Sequence, residues 1–352
     1  MKHQDLERFE GRYPLRLDFL GGTLDLDHLC LSLEKSVTFS VAISLSAYVK
    51  ITPLPEEEGE KREKKILVKS EDYKEEKEFL FQELLEKSPT TWEQWGLIAY
   101  CLRYVVQKKY VTESLLITLS SDSPVGAGLG GSSTLAIGLF SQLLKYSQKE
   151  SQYTFIEKLS LVKDFEMIVL NKGPTGFQDY VLALQSGMVA MKRLPGGWNF
   201  NQYYSKSLSN FITSRFDLFY SGISRNSALN NWQIYKNFYE NLSSRKVLEE
   251  LAKNASEGVE AIKQSQFEEF FQTVFFEAKI KNKAFPEILG PLLSFEQECH
   301  RKGIFVKMCG AGGGGCFLVG YPEHVSLEEK NVLRQQAKEK GYRLLSYSCL
   351  SP

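Results

Sequence analysis

The 352-residue sequence lacks any excess of charge, its 43 Lys and Arg being matched by 43 Asp and Glu. No whole-molecule field therefore draws it to nucleic acid or to an anionic membrane. Long apolar runs are also missing: nothing free of charge approaches the roughly 20 residues needed to cross a bilayer. The opening MKHQDLERFEGRYPLRLDF has no apolar core of the kind that marks a secretory signal. Six cysteines are present, Cys30, Cys101, Cys299, Cys309, Cys316 and Cys349, but never as a CxxC pair. That argues against both a zinc site and a disulfide framework, so a reducing cytoplasm is the expected setting. The four histidines, His3, His28, His300 and His324, are dispersed, which gives no signal for histidine catalysis or a histidine-rich metal centre. Internal repeats and low-complexity segments are absent. What these absences leave is a chain long enough for two domains, acting on a small, locally steered ligand.

Glycine, by contrast, is concentrated. The stretch SDSPVGAGLGGSSTLAIG, Ser121 to Gly138, has four glycines between positions 126 and 131, and KMCGAGGGGCF, Lys307 to Phe317, carries a second bare loop. Gly126, Gly128 and Gly131 satisfy GxGxxG literally, as do Gly310, Gly312 and Gly315. Neither match opens a first βαβ unit, as a dinucleotide fingerprint must, and no glycine run leads into Lys and Ser/Thr as in a P-loop. The physical content survives both exclusions. Backbone without Cβ atoms lets successive N–H groups converge, and Ser132, Ser133 and Thr134 stand where a following helix exposes its own unpaired N–H groups. The residues read as an anion cradle or, alternatively, as a tight strand-to-helix crossover built for packing.

The pattern along the chain is mixed α+β, not a regular strand–helix alternation. VTFSVAISLSAYVKITPL, Val37 to Leu54, predicts one long strand or two short ones, and residues 56–78 a charge-guarded hairpin edge. Helical spacing follows over Thr91 to Tyr110, a strand over Leu115 to Asp122, and helices over 132–148 and 154–171. A turn-rich NKGPTG and an apolar run from Tyr180 to Met191 come next. The Pro-Gly-Gly of LPGGWNFNQ, Leu194 to Gln202, suggests a domain boundary, giving domains 1–205 and 206–352. The second half predicts a strand in FDLFYSGISR, long helices to about Arg301, strands on both sides of the second glycine loop, a helix in VSLEEKNVLRQQAKEKG and a final strand in YRLLSYSCL.

Taken with RYPLRLDFLGGTLDLD, Arg12 to Asp27, the two loops resemble the three motifs of the GHMP kinases. Within that superfamily the chain is most similar to sugar kinases such as D-glycero-D-manno-heptose 7-phosphate kinase and L-fucokinase. Gly176-Phe177-Gln178-Asp179-Tyr180 and FYSGISR, Phe219 to Arg225, also resemble segments of that subgroup. The resemblance runs from about residue 11 to residue 320. It implies an α+β fold of two domains: an N-terminal domain like the second domain of ribosomal protein S5 and a ferredoxin-like C-terminal domain, with the active site between them. It implies as well ATP and Mg2+ as cofactors and a sugar or sugar phosphate as acceptor. The anomeric hydroxyl of a heptose 7-phosphate is the first expectation, with another polyol or a mevalonate-like acceptor as the alternative, and a ligand-binding protein without catalysis as a further one.

Carried over residue by residue, the resemblance places Pro124, Gly126, Gly128, Leu129, Gly130, Gly131, Ser132 and Ser133 around the ATP phosphates. It gives Ser132 and Glu166 to Mg2+, and Asp179 with Arg16 to catalysis. Gly21, Gly22, Asp25, Gln178, Gly312 and Gly313 fall to the acceptor. An ionised Asp179 would orient the attacking hydroxyl while Arg16 keeps it ionised and faces the developing charge. Asp25 would accept hydrogen bonds from acceptor hydroxyls. The residues alone also allow Glu166 on a solvated helix face, Arg16 in an ordinary ion pair and Asp25 in a turn, and they leave Lys307 equally as an anchor of its loop or a phosphate contact. Gly310 and Gly312 to Gly315 would let backbone approach the acceptor or the phosphate loop, and a purely structural approach of two loops reads the same. Three departures touch the acceptor more than the phosphates: Leu24 stands before the aspartate, Gly131 replaces a serine, and Tyr180 follows Asp179 directly. Arg12, Lys172 and Arg225 are the cations considered for a substrate phosphate.

Overall fold

The computed structural model describes residues 9–26, 28–55, 63–170, 175–224, 231–310 and 312–352. Asp27, Lys172 and Arg225 lie outside the described residues, as does part of the charged stretch expected to form a hairpin edge.

Eleven strands among the described residues form two sheets. β1 (Glu10–Leu20), β2 (Thr38–Pro53), β3 (Lys65–Ser70), β4 (Glu75–Leu80), β5 (Leu115–Ser121), β6 (Met188–Leu194) and β7 (Gly197–Gln202) make the first. Its order is β4-β3-β5-β2-β6-β7, with β1 also paired to β2. β3 and β5 run parallel, and the remaining pairings in this sheet are antiparallel. β8 (Phe216–Tyr220), β9 (Phe305–Met308), β10 (Cys316–Gly320) and β11 (Arg343–Leu345) form an antiparallel second sheet in the order β11-β8-β10-β9.

The helices that matter for the site are α1 (Gly96–Gln107), α2 (Gly131–Tyr146), α3 (Phe155–Leu170) and α4 (Gln178–Gln185) in the first half. In the second half they are α5 (Lys206–Arg215), α6 (Asn231–Glu240), α7 (Leu242–Lys263), α8 (Phe267–Ala284), α9 (Leu293–His300) and α10 (Leu327–Glu339).

The long β2 explains the architecture. Its β-branched, alternating sequence suits a pleated surface buried on both faces. Ala42, Val49 and Ile51 pack with residues of α1 to α4, whereas Phe39, Val41 and Ile43 belong to a core shared with the second half. Phe19 of β1 sits 5.1 Å from Phe216 of β8 and 5.9 Å from Phe270 of α8, and Phe39 lies 5.7 Å from Phe270. Each such ring, fully buried, contributes about 1.5–3 kcal/mol through lost apolar surface, so the two sheets are joined by a continuous apolar core. The C-terminal segment adds a second link. The Ser44 N–H donates to the Ser348 carbonyl and the Leu350 N–H to that of Ala42, each at 2.9 Å.

The α+β class expected from the pattern is the one observed, and most elements fall where periodicity predicts them. Four details differ. Pro89–Trp95 is a 3-10 segment interrupted at Glu93, which has φ 47°, so the helix expected from Thr91 starts at Gly96. The apolar run from Tyr180 breaks at Ser186 and Gly187, both at positive φ, into α4 and β6. The Pro-Gly-Gly punctuation is the tight turn of the β6–β7 hairpin, inside the first sheet. The final strand is confined to β11, and Cys349 instead bridges to Ile43 of the first sheet.

Candidate active site

Alternation along β1 sends Leu17 and Phe19 into the shared core and Arg16 and Asp18 to the opposite side, because residues two apart share a face of a strand. There they border a cavity of about 590 Å3. The glycine loop and the start of α2 form one wall; β1, α3, α4 and the turn at Gly310 complete it.

Gly126, Gly128 and Gly130 all have φ between 72° and 78°, the left-handed region that residues with a Cβ avoid. This winding carries residues 124–133 along the cavity wall. No side chain caps α2, so its first N–H groups and positive dipole end are directed at whatever occupies the cavity. The loop is pinned from behind: Arg16 donates from Nη1 to the Gly128 carbonyl at 2.9 Å, and the Cys316 N–H donates to that of Ala127 at 2.7 Å.

Asp179, in the first turn of α4, receives the Arg16 Nε–H at 2.7 Å, and Nη2 of the same guanidinium lies 2.7 Å from the same oxygen. Burial alone would lower the pKa of Arg16, but Asp179 and then Asp18 raise it, so the guanidinium stays charged. The arrangement is close-packed. A Cβ on Gly130 would stand 3.1 Å from the Asp179 carboxyl carbon, and one on Gly176 only 1.8 Å from Asp25 Oδ2. Asp25 is buried and accepts the Gln178 N–H at 3.0 Å. Burial, reinforced by the neighbouring Asp179, pushes its carboxyl up to about 6 against the pull of that N–H.

Glu166 of α3 meets the start of α2: Ser133 Oγ donates to its Oε1 at 3.0 Å, and the Tyr180 hydroxyl donates to its Oε2. Ser132 is exposed at the first turn of α2, on the cavity wall. Among the described residues no group of three or more His, Cys, Asp or Glu side chains is arranged to hold a metal ion. One carboxylate and one hydroxyl beside an anion loop suit a Mg2+ whose remaining ligands are phosphate oxygens and water.

Of the acceptor residues expected from sequence, Gly22, Asp25 and Gln178 line the cavity, but Gly21, Gly312 and Gly313 do not. Gly21 is folded against the Val37 carbonyl and donates its N–H to Glu277 Oε2 at 2.6 Å. A Cβ on Gly312 would collide with Ile288, and the Gly313 N–H is bonded to the Ile288 carbonyl at 2.9 Å. The second glycine loop thus serves close packing, and Gly310 is its member on the wall. Lys307 is the anchor, not an open cation: its Nζ donates to the Asp18 carbonyl at 2.7 Å and lies 3.2 Å from Asp18 Oδ2. Arg12 bonds Ser44 and Ser46 on β2 and is not among the wall residues.

The sequence reading passed over Asp18, which the alternation Arg16, Asp18 along one strand face would have paired with Arg16. It also missed the apolar end of the cavity, where Trp95, Leu97, Ile98 and Leu119 meet Tyr73 and Asp72. Those residues come from four separate elements, and no local motif links them.

An α+β chain of two sheets, with a glycine loop and an arginine–aspartate pair at one cleft, has the GHMP kinase fold. Over 97% of its length it superposes on 98% of Methanococcus jannaschii mevalonate kinase (TM-score 0.73, 16% identity). The same share superposes on 96% of a D-glycero-D-manno-heptose 1-phosphate kinase from Bacteriodes thetaiotaomicron (TM-score 0.72, 18% identity). It also superposes on 99% of Streptococcus pneumoniae phosphomevalonate kinase, a complex with phosphomevalonate and AMPPNP (TM-score 0.68, 14% identity). More particularly, residues 96–187 match the family model for the GHMP kinases N terminal domain. No curated protein matches the chain by sequence. The resemblance read from the three motifs is therefore borne out. No described helix is long and apolar enough to cross a membrane.

Proposed function

We propose that the protein is a Mg-ATP-dependent kinase of the GHMP type, transferring the γ-phosphoryl group of ATP to a hydroxyl of a sugar or sugar phosphate. The observation that carries this reading is the Asp179 carboxylate, gripped by Arg16 at 2.7 Å and packed against Gly130 of the anion loop. A proton acceptor and an anion cradle thus share one wall. Phosphoryl transfer asks for an in-line hydroxyl and compensation of charge on the transferred oxygens, with little covalent participation by the protein. Asp179 orients the acceptor hydroxyl and takes its proton as the oxygen bonds to the γ-phosphorus. Arg16 holds Asp179 in position and offsets the charge that develops beside it. The N–H groups of the glycine loop and of α2 hold the departing ADP.

Ser132 and Glu166 would hold Mg2+, which when bound compensates phosphate charge. Asp25 and Gln178 supply acceptors for substrate hydroxyls, and the apolar end near Trp95 takes the nucleobase. We assign residues 1–205 to the nucleotide-binding unit and 206–352 to the unit that closes the cleft. Heptose 7-phosphate, phosphorylated at its anomeric hydroxyl, is the first acceptor to test. Mevalonate belongs in the same panel, because the fold matches a mevalonate kinase as well as a heptose kinase.

The test is ADP release with Mg-ATP across sugars, sugar phosphates, inositol and mevalonate. Turnover on one sugar acceptor would establish the reading and turnover on mevalonate alone would move the acceptor class. ATP binding without turnover on any acceptor would contradict the transferase assignment, and absence of ATP binding would contradict the role given to the loop.

A further inference from the structure

From Asp18 on the cavity wall a chain of buried charges that the proposed transfer step does not use runs back to Lys307 and Glu277. Asp18, Lys307 and Glu277 are each at most 1% exposed. Asp18 Oδ1 accepts the Gly310 N–H at 3.2 Å and lies 3.7 Å from Arg16 Nη1, while Oδ2 lies 3.2 Å from Lys307 Nζ. Glu277 Oε1 is 3.7 Å from Lys307 and 3.0 Å from Lys281, and its Oε2 accepts the Gly21 N–H. These residues come from β1, β9 and α8, so the chain joins the second half of the molecule to the arginine that holds Asp179.

A buried ion pair is a weak source of stability, because desolvating both partners consumes most of their attraction. An apolar pair of similar volume would serve a core as well. What the charges supply here is direction. The Arg16 guanidinium has one edge on Asp179 and the other on the Gly128 carbonyl and Asp18, which leaves it no alternative position. The same Asp18 oxygen fixes the backbone of Gly310 on the cavity wall.

We infer that Asp18 is a positioning residue for phosphoryl transfer, locking Arg16 and the Gly310 turn into one frame across the two halves of the molecule. The inference rests on the kinase reading above, and its role is distinct from that of Asp179, since Asp18 acts through Arg16 and Gly310 without meeting the reacting atoms. Displacement of a catalytic group by about 1 Å is enough to lower turnover by about 100-fold.

Asp18→Asn keeps the size of the side chain and removes its charge. The expected result is a fall in kcat of about 100-fold at saturating acceptor, with ATP affinity within about threefold of wild type. Two companions separate positioning from loss of stability. Asp217→Asn breaks the part-exposed pair between Asp217 of β8 and Arg334 of α10, whose nitrogen–oxygen contacts are 2.7 and 2.8 Å, and should lower Tm while leaving kcat within about twofold. Asp18→Asn combined with Lys307→Met removes both charges and should recover Tm, yet keep the low kcat. Recovery of kcat together with Tm in the double variant would overturn the inference, as would a loss in Asp18→Asn no larger than in Asp217→Asn.

A second readout needs no turnover. The Arg16 Nε–H, assigned by its loss in Arg16→Lys, should exchange slowly with solvent in the wild-type protein and at least about tenfold faster in Asp18→Asn. Unchanged exchange would refute the positioning role. If no acceptor is phosphorylated, the kinase reading falls while this exchange measurement still decides whether Asp18 holds Arg16.

Discussion

Asp25 is a carboxyl buried at a cost to its ionised form, and replacing it should stabilise the free protein. Its ordinary value of 3.8 is pushed up to about 6, which corresponds to about 3 kcal/mol of destabilisation of the ionised, folded form above that pH. Asn at this position keeps an oxygen for the Gln178 N–H, now received by Asp25 Oδ2 at 3.0 Å, and removes the charge facing Asp179. Burial of the new amide group offsets part of the gain, so Asp25→Asn should be more stable than wild type by about 1–3 kcal/mol at about pH 8. The sign follows from proton binding. The folded chain holds the Asp25 proton more tightly than the unfolded chain, so wild-type stability from this group rises as pH falls from about 6 toward 4, and the variant lacks that rise. Comparing the two proteins at each pH removes the opposing contribution of Asp18, held down to about 2 mainly by Lys307 and Arg16 against the effect of burial. Urea unfolding followed by fluorescence at about pH 8 and about pH 4 should show the advantage shrinking to less than about 1 kcal/mol at the lower pH. The same variant should bind the acceptor more weakly, since it loses a carboxylate acceptor on the wall. A variant no more stable than wild type at about pH 8, or an advantage that does not change with pH, would refute the account of Asp25 as a carboxylate held for substrate.

Four other perturbations test separate parts of the site and fold. Asp179→Asn should lower kcat by a factor of about 1,000 with the Kd for ATP within about threefold, checked by steady-state kinetics and calorimetry; an equal loss in both would remove Asp179 from proton transfer. Glu166→Gln should raise the Mg2+ concentration for half-maximal turnover by about tenfold, and an unchanged Mg2+ titration would reassign Glu166 to bracing the start of α2. Gly130→Ala places a Cβ against Asp179 at a φ of 78°, so about 1–2 kcal/mol of stability and most ATP affinity should be lost, read by thermal unfolding with and without nucleotide. Deleting residues 347–352 removes the pairing of Ser348 and Leu350 with β2 and should cost about 2–4 kcal/mol, seen as a lower Tm.

How far the sequence carried these features depends on the range over which each is encoded. The anion loop was legible because its requirement is local: left-handed backbone at Gly126, Gly128 and Gly130 demands glycine in successive positions, and the helix that follows is announced by its own periodicity. The Arg16–Asp179 pair spans 163 positions, and only its occurrence inside two recognisable motifs allowed both residues to be named. Strand order lay beyond reach, because β2 exchanges hydrogen bonds with β1, β5 and β6 and nothing in its own residues chooses among partners. One local signal has two meanings. The Pro-Gly-Gly of residues 195–197 looks alike as a domain boundary and as a hairpin turn, and only the pairing of β6 with β7 separates them.

The second glycine loop gives the same lesson in the site itself. A run of glycines marks backbone that must approach something, but cannot say whether that neighbour is a ligand or the protein. Gly312 approaches Ile288, and Gly315 approaches the carbonyls of Gly126 and Ala127 at distances that leave no room for a Cβ. Of the two neighbours expected for this loop, the acceptor and the phosphate loop, it is the phosphate loop against which Gly315 packs. That contact still bears on function through a different physical route. With Lys307 and Asp18 fixing its base and Gly315 seated on the first loop, it makes the position of the anion cradle depend on the second half of the molecule. Weakening the contact at Gly315 should therefore disturb ATP affinity, whereas weakening it at Asp18 should disturb turnover.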